Sequence, residues 1–206
     1  MSKILENHSE EDIRKVVSIL KAGGTAIFPT DTVYGIGASM CSNLGLKNLY
    51  QNTERPEDKP TALLIDNISW VKKLVAEVPE IGYKLMTEFW PGALTIIFKA
   101  SKIVPQKVAP NGKVGLRLPG SQVAEDIIKG LGCPIATKSA NIANFPTPGS
   151  FEDIEIELLN KADVVIRGEI LFEKSSTVLD ISEGKVKILR EGVISQKLIK
   201  GALEEI

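Results

Sequence analysis

The chain contains 206 residues, of which 43% are hydrophobic and 25% are charged, and this is the composition of an ordinary globular protein. Its length allows one large domain or two small ones with a self-sufficient core. The 25 basic and 26 acidic residues leave a net charge of −1, which excludes a strongly basic whole-protein surface for nucleic acid but not a local basic cleft. Aromatic residues make up 5%, which argues against a stacking platform for single-stranded nucleic acid.

The sequence shows no segment that would direct the chain to a membrane. No apolar run approaches the length of about 18 residues that a spanning helix needs. The N-terminal segment MSKILENHSE contains no apolar core of a signal peptide. We therefore expect a soluble cytoplasmic protein with no membrane partner.

Residues that often carry acid–base or metal chemistry are scarce. The chain has one histidine, His8, which lies in a polar N-terminal segment and is interpreted as a solvated terminal residue. The two cysteines, Cys41 and Cys133, are far apart in the sequence, so we expect two small buried thiols rather than a disulfide or a zinc site. This expectation agrees with a protein of a reducing compartment.

The first half of the chain alternates helix and strand. Ser9, followed three residues later by Asp12, resembles a capping box and predicts a helix that ends at Gly23 and Gly24. Short apolar runs between turn-forming residues indicate strands, and apolar residues at helical spacing indicate helices. The further elements predicted in this half are a strand over 25–28, a helix over 43–50, a strand over 62–65, helices over 69–78 and 80–89, and a strand over 94–98.

The second half continues the alternation and contains a candidate hairpin. Its predicted elements are a loop over 102–112, a strand over 114–118, a helix over 121–131, a strand over 135–137, a loop over 144–150, a helix over 151–160, strands over 164–166, 177–181 and 186–189, and a helix over 195–203. The last two strands are separated by a turn with Glu183 and Gly184, which predicts an antiparallel pair. We find no repeat or linker, so we predict one α/β domain with a twisted mixed sheet.

Four segments carry polar residues that a hydrophobic core does not require. The first, residues 29–35, follows a predicted strand and combines hydroxyls, a carboxylate and a glycine; it fits either a tight strand-to-helix turn or a site. The second, residues 53–60, places Arg55 and Lys59 in a loop that prolines restrict. These cations fit either a phosphate or carboxylate ligand or a solvated charged loop.

The other two segments lie on or beside predicted strands. Ser139 and Asn141 follow the strand over 135–137, where ligands of open α/β sheets bind, but both residue types also cap helices. Lys113 and Arg117 flank another strand, and Arg190 lies near the end of a third. A buried arginine needs a partner, and the sequence leaves open whether this is a bound anion or a protein carboxylate.

Taken together, the four segments form a specific combination that resembles the YrdC-like family. The matching stretches follow the family order from about residue 10 to about residue 195. They are PTDTVYGIG (29–37), ERPEDKP (54–60), WPGALTI (90–96), VGLRLP (114–119), KSAN (138–141), SSTVLD (175–180) and ILREG (188–192). Because the chain stops shortly after the last stretch, we expect the short single-domain form of that family.

The resemblance implies a fold and an activity. The fold is one domain over residues 1–206, with a core from about 10 to 195, in which helices flank the mixed sheet around a large concave cleft. The activity is ATP-dependent synthesis of L-threonylcarbamoyladenylate from L-threonine and bicarbonate, with release of diphosphate and with Mg²⁺ accompanying ATP. In the family the product serves t6A modification of tRNA, which implies downstream tRNA-modification machinery and allows weak RNA binding. A site without histidine suits this reaction, because the carbamate of threonine is already an anionic nucleophile.

The resemblance also assigns roles to individual residues. Threonine contacts are implied for Thr32, Arg117, Ser139 and Ser176. Nucleotide contacts are implied for Arg55, Lys59, Lys113, Asn141 and Arg190. Catalytic roles are implied for Arg55, Ser139 and Asn141, and no residue is implied as a metal ligand.

The sequence departs from the family pattern near the expected phosphates. Thr53 stands where a lysine is common, Thr61 stands where a leucine is usual, and the loop between Gly168 and Ser175 lacks the usual glycines. A lost cation there would cost about 10²–10³ in rate. The alternative is therefore a nucleotide- or RNA-binding paralogue with weak or no synthase activity. A carbamoyl-transfer module of the hydrogenase-maturation type is disfavoured, because such chains carry cysteine clusters and this one has two cysteines.

Overall fold

The structure is a computed structural model and describes residues 3–6 and 8–204. Its strands are β1 (Lys3–Leu5), β2 (Ala26–Phe28), β3 (Gly35–Ser39), β4 (Ala62–Leu64), β5 (Leu94–Lys99), β6 (Lys113–Arg117), β7 (Ile135–Ser139), β8 (Val164–Ile166), β9 (Thr177–Asp180) and β10 (Lys187–Arg190). Its helices are α1 (Glu10–Lys21), α2 (Asn43–Asn52), α3 (Val71–Leu74), α4 (Glu80–Phe89), α5 (Gln122–Leu131), α6 (Ile156–Lys161) and α7 (Gln196–Glu204). None of the helices described is long and apolar enough to cross a membrane.

All the strands described belong to one mixed sheet. Their order is β1-β8-β2-β3-β7-β4-β6-β5-β9-β10. The pairs β1–β8, β8–β2, β4–β6 and β5–β9 are parallel, and the other neighbours are antiparallel. The predicted α/β class with a mixed sheet is confirmed, and so is the hairpin formed by β9 and β10.

The long helices begin and end where the sequence predicts, because their caps are local. Ser9 accepts a hydrogen bond from the backbone N–H of Asp12 at the start of α1. Ser121 caps α5 in the same way, and Gly132 ends that helix at φ 67°, in the left-handed region that favours glycine. Helix α1 packs against α5, and at this contact a Cβ on Gly130 would lie 2.9 Å from a methyl carbon of Val17.

Two predicted helices are shorter than expected, because residues at one end of each form tertiary contacts instead of a helical turn. The helix predicted over 69–78 is a 3-10 turn (Ile68–Trp70) followed by the single turn of α3, since Val75 turns extended and pairs with Ala100. The helix predicted over 151–160 begins at Ile156 as α6. The earlier residue Phe151 is in a turn and packs edge-on against Tyr34, with ring centroids 6.0 Å apart.

Strand β3 was missed, since its sequence GIGAS contains few residues of high β propensity. It nevertheless lies inside the sheet, between β2 and β7. A Cβ on Gly37 would lie 2.5 Å from a methyl carbon of Ile135, and one on Gly35 would lie 2.9 Å from a methyl carbon of Thr137. The space above these glycines is thus filled by side chains of β7, which explains why the strand carries no strand-like pattern. Strand β1 was also missed.

The prediction of two free thiols is wrong. Cys41 and Cys133 form a disulfide with a Cα–Cα distance of 6.5 Å. The reason is the antiparallel pairing of β3 with β7, in which Ser39 lies opposite Ile135. Cys41 follows the end of β3 and Cys133 precedes the start of β7, so the pairing brings together cysteines that are 92 residues apart in sequence.

Candidate functional site

A cleft of about 360 Å³ lies against one face of the sheet, within the range of small-molecule sites. Its floor includes a row of residues that the strand register places side by side. Across β7, β4, β6, β5 and β9 this row reads Thr137, Ala62, Gly115, Ile97 and Asp180, and all five line the cleft. Two of the five, Ala62 and Gly115, have minimal side chains, which leaves room above the centre of the sheet.

The cationic residues of β6 face the cleft because side chains alternate along a strand. Lys113, Gly115 and Arg117 lie at every second position and all line the cleft. The alternate residues Val114 and Leu116 are fully buried in the core. The segment that the sequence marked as polar is therefore a strand with one apolar face and one site face.

The structure brings together most of the site residues implied by the resemblance. The cleft lining includes Thr32, Arg55, Lys113, Arg117, Ser139, Ser176 and Arg190. Lys59 and Asn141 lie outside the lining: the Lys59 side chain is exposed, and that of Asn141 is buried beside the cleft. The ligand roles of all nine residues stay predictions.

Arg117 is the most constrained cation of the cleft. Its Nε donates to the carbonyl of Gly92 at 2.9 Å, one terminal nitrogen donates to Thr32 Oγ1 at 2.8 Å, and the other donates to Asp31 Oδ1 at 2.5 Å. Arg117 is 6% exposed, and burial lowers its pKa while the charge of Asp31 opposes that effect. Three of about five guanidinium hydrogens are thereby used. The partner that the sequence left open is a protein carboxylate, and N–H groups remain for a ligand.

The segment after β2 is organised by two hydroxyls. Thr30 donates to the carbonyl of Val33 at 2.7 Å and contacts the Thr32 hydroxyl at 3.1 Å. Because the hydrogen of Thr30 is already used, Thr32 is the donor in that contact. Thr32 also accepts from Arg117, so one of its lone pairs remains. This segment connects β2 to β3, so the turn leads into a strand rather than into a helix.

Tyr34 ties the segment after β8 to the wall of the cleft. Its hydroxyl donates to the carbonyl of Gly168 at 2.5 Å and accepts from the N–H of Gly168 at 2.9 Å. Burial raises the pKa of Tyr34, so it remains a neutral donor. The loop between Gly168 and Ser175, which lacks the usual glycines, is thus anchored at the glycine that precedes it.

Ser176 and Arg190 form a second polar group on the β9–β10 side. Arg190 donates from Nε to the carbonyl of Ser176 at 3.1 Å and from a terminal nitrogen to its hydroxyl at 3.3 Å. The same hydroxyl lies 2.9 Å from that of Thr95. Partial desolvation and the positive charge of Arg117 lower the pKa of Arg190, and both arginines line the same cleft.

Arg55 is held by main-chain carbonyls after α2. Its Nε donates to the carbonyl of Lys59 at 3.2 Å, and a terminal nitrogen donates to the carbonyl of Pro60. Burial lowers its pKa, and no carboxylate among the described residues forms an ion pair with it. Lys59 therefore contributes a carbonyl that orients Arg55, while its own side chain is exposed and is not part of the cleft lining.

The KSAN stretch forms the end of β7 and the turn after it. Ser139 donates to the side-chain oxygen of Asn141 at 2.5 Å, and the Asn141 amide donates to the carbonyl of Phe145 at 2.8 Å. Asn141 therefore fixes the hydroxyl of Ser139 and the turn behind it. Lys138 lines the cleft too, although the sequence analysis assigned it no role. Its position next to Ser139 could have suggested it.

Lys113 differs from Arg55 in being neutralised. Its ammonium group lies 3.2 Å from Asp180 and 2.7 Å from Glu183, and hydrogen bonds to these carboxylates raise its pKa. Like Arg117, Lys113 therefore has protein carboxylates as its partners. Asp180 is also hydrogen-bonded by Ser182 at 2.6 Å.

Cations outnumber carboxylates in the cleft lining, although the chain as a whole is nearly neutral. Of the described residues, the cations in the lining are Arg55, Lys113, Arg117, Lys138 and Arg190, and the carboxylate in the lining is Asp180. No group of three or more His, Cys, Asp or Glu residues suited to a metal is found in the described part of the chain. A hollow with this charge and these hydroxyls concentrates anions. The fold and site thus define an α/β protein with an open, cation-lined cleft of small-molecule size.

Comparison with known proteins identifies the family. The sequence model of the Sua5/YciO/YrdC family, described as "Telomere recombination", matches residues 18–192. The chain belongs to this family.

Several relatives are similar over almost the whole chain. The threonylcarbamoyl-AMP synthase of Pyrococcus abyssi is 31% identical over 205 residues, which are 98% of this chain and 60% of that protein. The threonylcarbamoyl-AMP synthase of Bacillus subtilis is 32% identical over 201 residues, which are 96% of this chain and 58% of that protein. The chain therefore spans about three fifths of the length of these two synthases.

Solved structures agree on the fold. The crystal structure of P. abyssi Sua5 complexed with L-threonine superposes with a TM-score of 0.93 at 30% identity, over 100% of this chain and 62% of that one. The crystal structure of Escherichia coli YciO superposes with a TM-score of 0.86 at 25% identity, over 97% of this chain and 100% of that one.

Proposed function

We propose that this protein synthesises L-threonylcarbamoyladenylate from L-threonine, bicarbonate and ATP and releases diphosphate. The observation that carries the proposal is the convergence of Arg55, Arg117, Arg190 and the hydroxyls of Thr32, Ser139 and Ser176 on one cleft. Two relatives are named threonylcarbamoyl-AMP synthase, and a structure of one of them was solved with L-threonine.

The proposed reaction needs positioning and charge stabilisation more than proton transfer. The amine of threonine and bicarbonate give a carbamate and water. A carbamate oxygen then attacks the α-phosphorus of ATP, and the bond from this phosphorus to the bridging oxygen breaks, so that diphosphate leaves with the electron pair. Negative charge moves toward the leaving group, where fixed cations lower the barrier. This explains how a cleft without histidine can act.

On the threonine side, we assign the carboxylate to the N–H groups that Arg117 has left, with Thr32, Ser139 and Ser176 as polar contacts. Thr32 and Asp31 hold the guanidinium in place, so little side-chain entropy is lost when a ligand binds. Because Asp31 already balances one charge, the nearby Arg190 supplies the further positive charge that a carboxylate needs.

On the nucleotide side, we assign the phosphates to Arg55, Lys113 and Arg190, with Lys59 at the rim. No carboxylate in the described part of the chain forms an ion pair with Arg55, so its charge is available to an anionic ligand. Ser139 faces the reacting groups, and Asn141 positions it; these two with Arg55 form the proposed catalytic group. Mg²⁺ would enter with ATP, held by phosphate oxygens and water, since Asp180 is already bonded to Lys113 and Ser182.

The proposed product supplies a threonylcarbamoyl group for t6A modification of tRNA by other enzymes, which places the protein in the cytoplasm with tRNA-modification machinery downstream. Direct RNA binding would be weak, because the cationic residues line a hollow and not a broad surface.

The proposal is tested by incubating the protein with ATP, Mg²⁺, bicarbonate and L-threonine. We expect diphosphate release that requires threonine, and a product with the mass of threonylcarbamoyladenylate. Arg55→Ala should lower the rate by about 10²-fold or more, whereas Arg14→Ala, which removes an exposed arginine of α1, should not change it. Folded protein that releases no threonine-dependent diphosphate beside an active control would overturn the proposal.

The alternative of a binding paralogue without synthase activity keeps one supporting observation. Thr53, which stands in place of a lysine, is fully buried and donates to the carbonyl of Leu49 at 2.7 Å, so it offers no charge to the cleft. Tight ATP or tRNA binding without turnover would favour this alternative. A steep dependence on salt would identify RNA as the ligand.

A further inference from the structure

Lys138 is a half-buried cation in the cleft wall without a carboxylate partner in the described residues. The other lining lysine, Lys113, has two such partners, and Arg117 has one. The ammonium group of Lys138 instead donates to the carbonyl of Asn141. Burial, and secondly the positive charge of Arg55, lowers its pKa to about 8, while the charge of Glu155 opposes this effect.

The neighbourhood of Lys138 and Arg55 is electrostatically unfavourable in the absence of a ligand. Both side chains are partly removed from water, and neither forms an ion pair with a carboxylate in the described part of the chain. Burial lowers the pKa of both groups, and it outweighs the interaction with Tyr50, which raises the pKa of Arg55, and the charge of Glu155, which raises that of Lys138. Like charges in a partly desolvated wall repel each other unless an anion lies between them. Two cations left in this state on one side of a cleft therefore indicate an anion that both contact.

The other candidates for a cation on this side do not reach the cleft. Thr53 is fully buried and uncharged, and the Lys59 side chain is exposed and outside the lining. Lys138, by contrast, is a lining residue at the end of β7. Its side chain alternates with those of the residues before and after it, so its ammonium group approaches the cleft from the side of Arg55, whose charge acts on it. A strand residue beside the proposed catalytic serine holds its charge in a fixed place.

The hydrogen bond to the Asn141 carbonyl fixes the position of the Lys138 ammonium group and leaves some of its N–H donors for a ligand. An ammonium group has about three donors, so roughly two remain after this contact. The same turn orients Ser139 through the side chain of Asn141, so Ser139 and Lys138 are held by one residue.

We propose that Lys138, together with Arg55, binds the β- and γ-phosphates of the nucleotide and the diphosphate that leaves. This rests on the proposed function for the identity of the nucleotide, whereas the binding of a diphosphate group stands on the cleft itself. Lys138 then provides the charge that position 53 lacks, from strand β7 instead of from the end of helix α2.

The test is calorimetric titration of the wild-type protein, Lys138→Met and Lys138→Arg with ATP, AMP and inorganic diphosphate. Lys138→Met should weaken binding of ATP and of diphosphate by about tenfold or more and change AMP binding by less than about twofold. Lys138→Arg should retain most of the affinity. Lys47→Met removes an exposed lysine of α2 and serves as the matched control without effect.

The outcomes separate this inference from the proposed function. Wild-type affinity for ATP and diphosphate in a folded Lys138→Met protein overturns the inference, even if the enzyme makes threonylcarbamoyladenylate. Wild-type protein that binds neither ligand also overturns it. Lys138-dependent diphosphate binding in a protein without threonine-dependent turnover supports the anion site and contradicts the synthase. Thermal unfolding of each variant establishes that it is folded.

Discussion

Arg117 shows how one buried charge organises a functional surface. It bridges the segment after β2, through Asp31 and Thr32, to the Gly92 carbonyl in the segment before β5. A buried ion pair adds little net stability, but removing one partner leaves an uncompensated charge. Arg117 and Asp31 therefore depend on each other, and we expect their substitutions to be coupled.

We predict that Arg117→Met lowers the free energy of unfolding by about 3 kcal/mol, because Asp31 is left buried without its cation. The double variant Arg117→Met/Asp31→Asn should recover part of this loss, since no buried charge remains. Chemical denaturation of the wild type, both single variants and the double variant measures the coupling. If the loss of unfolding free energy in the double variant equals the sum of the losses in the two single variants, the pair is not coupled.

Lys138 predicts a pH dependence of ATP binding. Its pKa of about 8 in the free protein means that the ammonium form, which attracts phosphate, is lost as pH rises through that value. An anion favours the charged form, so binding raises the pKa and takes up a proton. We expect the affinity for ATP to fall by about tenfold between pH 7 and pH 9.

The measurement is calorimetry at several pH values in buffers of different ionisation enthalpy, which reports the proton uptake. Arg55 and Glu155 are the charged groups that act on Lys138, and both are retained in the control variant Lys138→Arg. That variant should show neither proton uptake nor loss of affinity, because arginine stays protonated in this range. Equal pH dependence in both proteins would assign the effect to another group.

At the level of elements, the site depends on close approach between the end of β10 and the start of β9. A Cβ on Gly192 would lie 2.0 Å from the carbonyl oxygen of Ser175, and the Gly192 N–H donates to Thr177 at 2.9 Å. This segment contains Ser176, whose carbonyl and hydroxyl accept hydrogen bonds from Arg190. Any side chain at position 192 must therefore displace one wall of the cleft.

We predict that Gly192→Ala weakens L-threonine binding by about tenfold and lowers the unfolding free energy by about 1–3 kcal/mol, because backbone must move. Gly201→Ala is the matched control: position 201 lies in α7 with open space around it, so alanine should stabilise the helix by about 0.5–1 kcal/mol. Titration with threonine and chemical denaturation test both. Unchanged threonine affinity in Gly192→Ala would refute the predicted displacement.

The elements that sequence patterns missed share a physical cause. Strand β3 consists of small residues because β7 side chains occupy the space above it, and α3 is cut short because Val75 pairs with Ala100. Both depend on contacts with segments far along the chain. The helices with local caps, α1 and α5, were predicted with nearly correct ends because Ser9, Ser121 and Gly132 act on their own neighbours.

For the whole molecule, the disulfide ties together the two central strands β3 and β7. Cross-linking residues 92 apart restricts the unfolded chain, which in the chain-entropy account stabilises the fold by about 4–5 kcal/mol. Cys41 is exposed, so a reductant can reach the bond. The link also lies at the far end of the strand β7 that carries Lys138 and Ser139.

We predict that dithiothreitol lowers the denaturation midpoint of the wild-type protein and leaves that of Cys41→Ala unchanged, because the variant has no bond to reduce. The oxidised wild type should be more stable than the variant. Denaturation with and without reductant, together with thiol titration of the unfolded protein, gives the measurement. Two reactive thiols before reduction and equal midpoints would restore the free-thiol interpretation.

By itself, the sequence determined the α/β alternation, the mixed sheet, the hairpin at 177–189 and the polar segments that meet in the cleft. These follow from periodicity, caps and turn residues, which act over a few neighbouring positions. Tertiary structure alone decided which cations are neutralised, since the folded sheet and its connecting segments bring Lys113 to Asp180 and Arg117 to Asp31. It likewise decided the Cys41–Cys133 bond and the place of Lys138 beside Arg55, because these depend on which distant strands become neighbours.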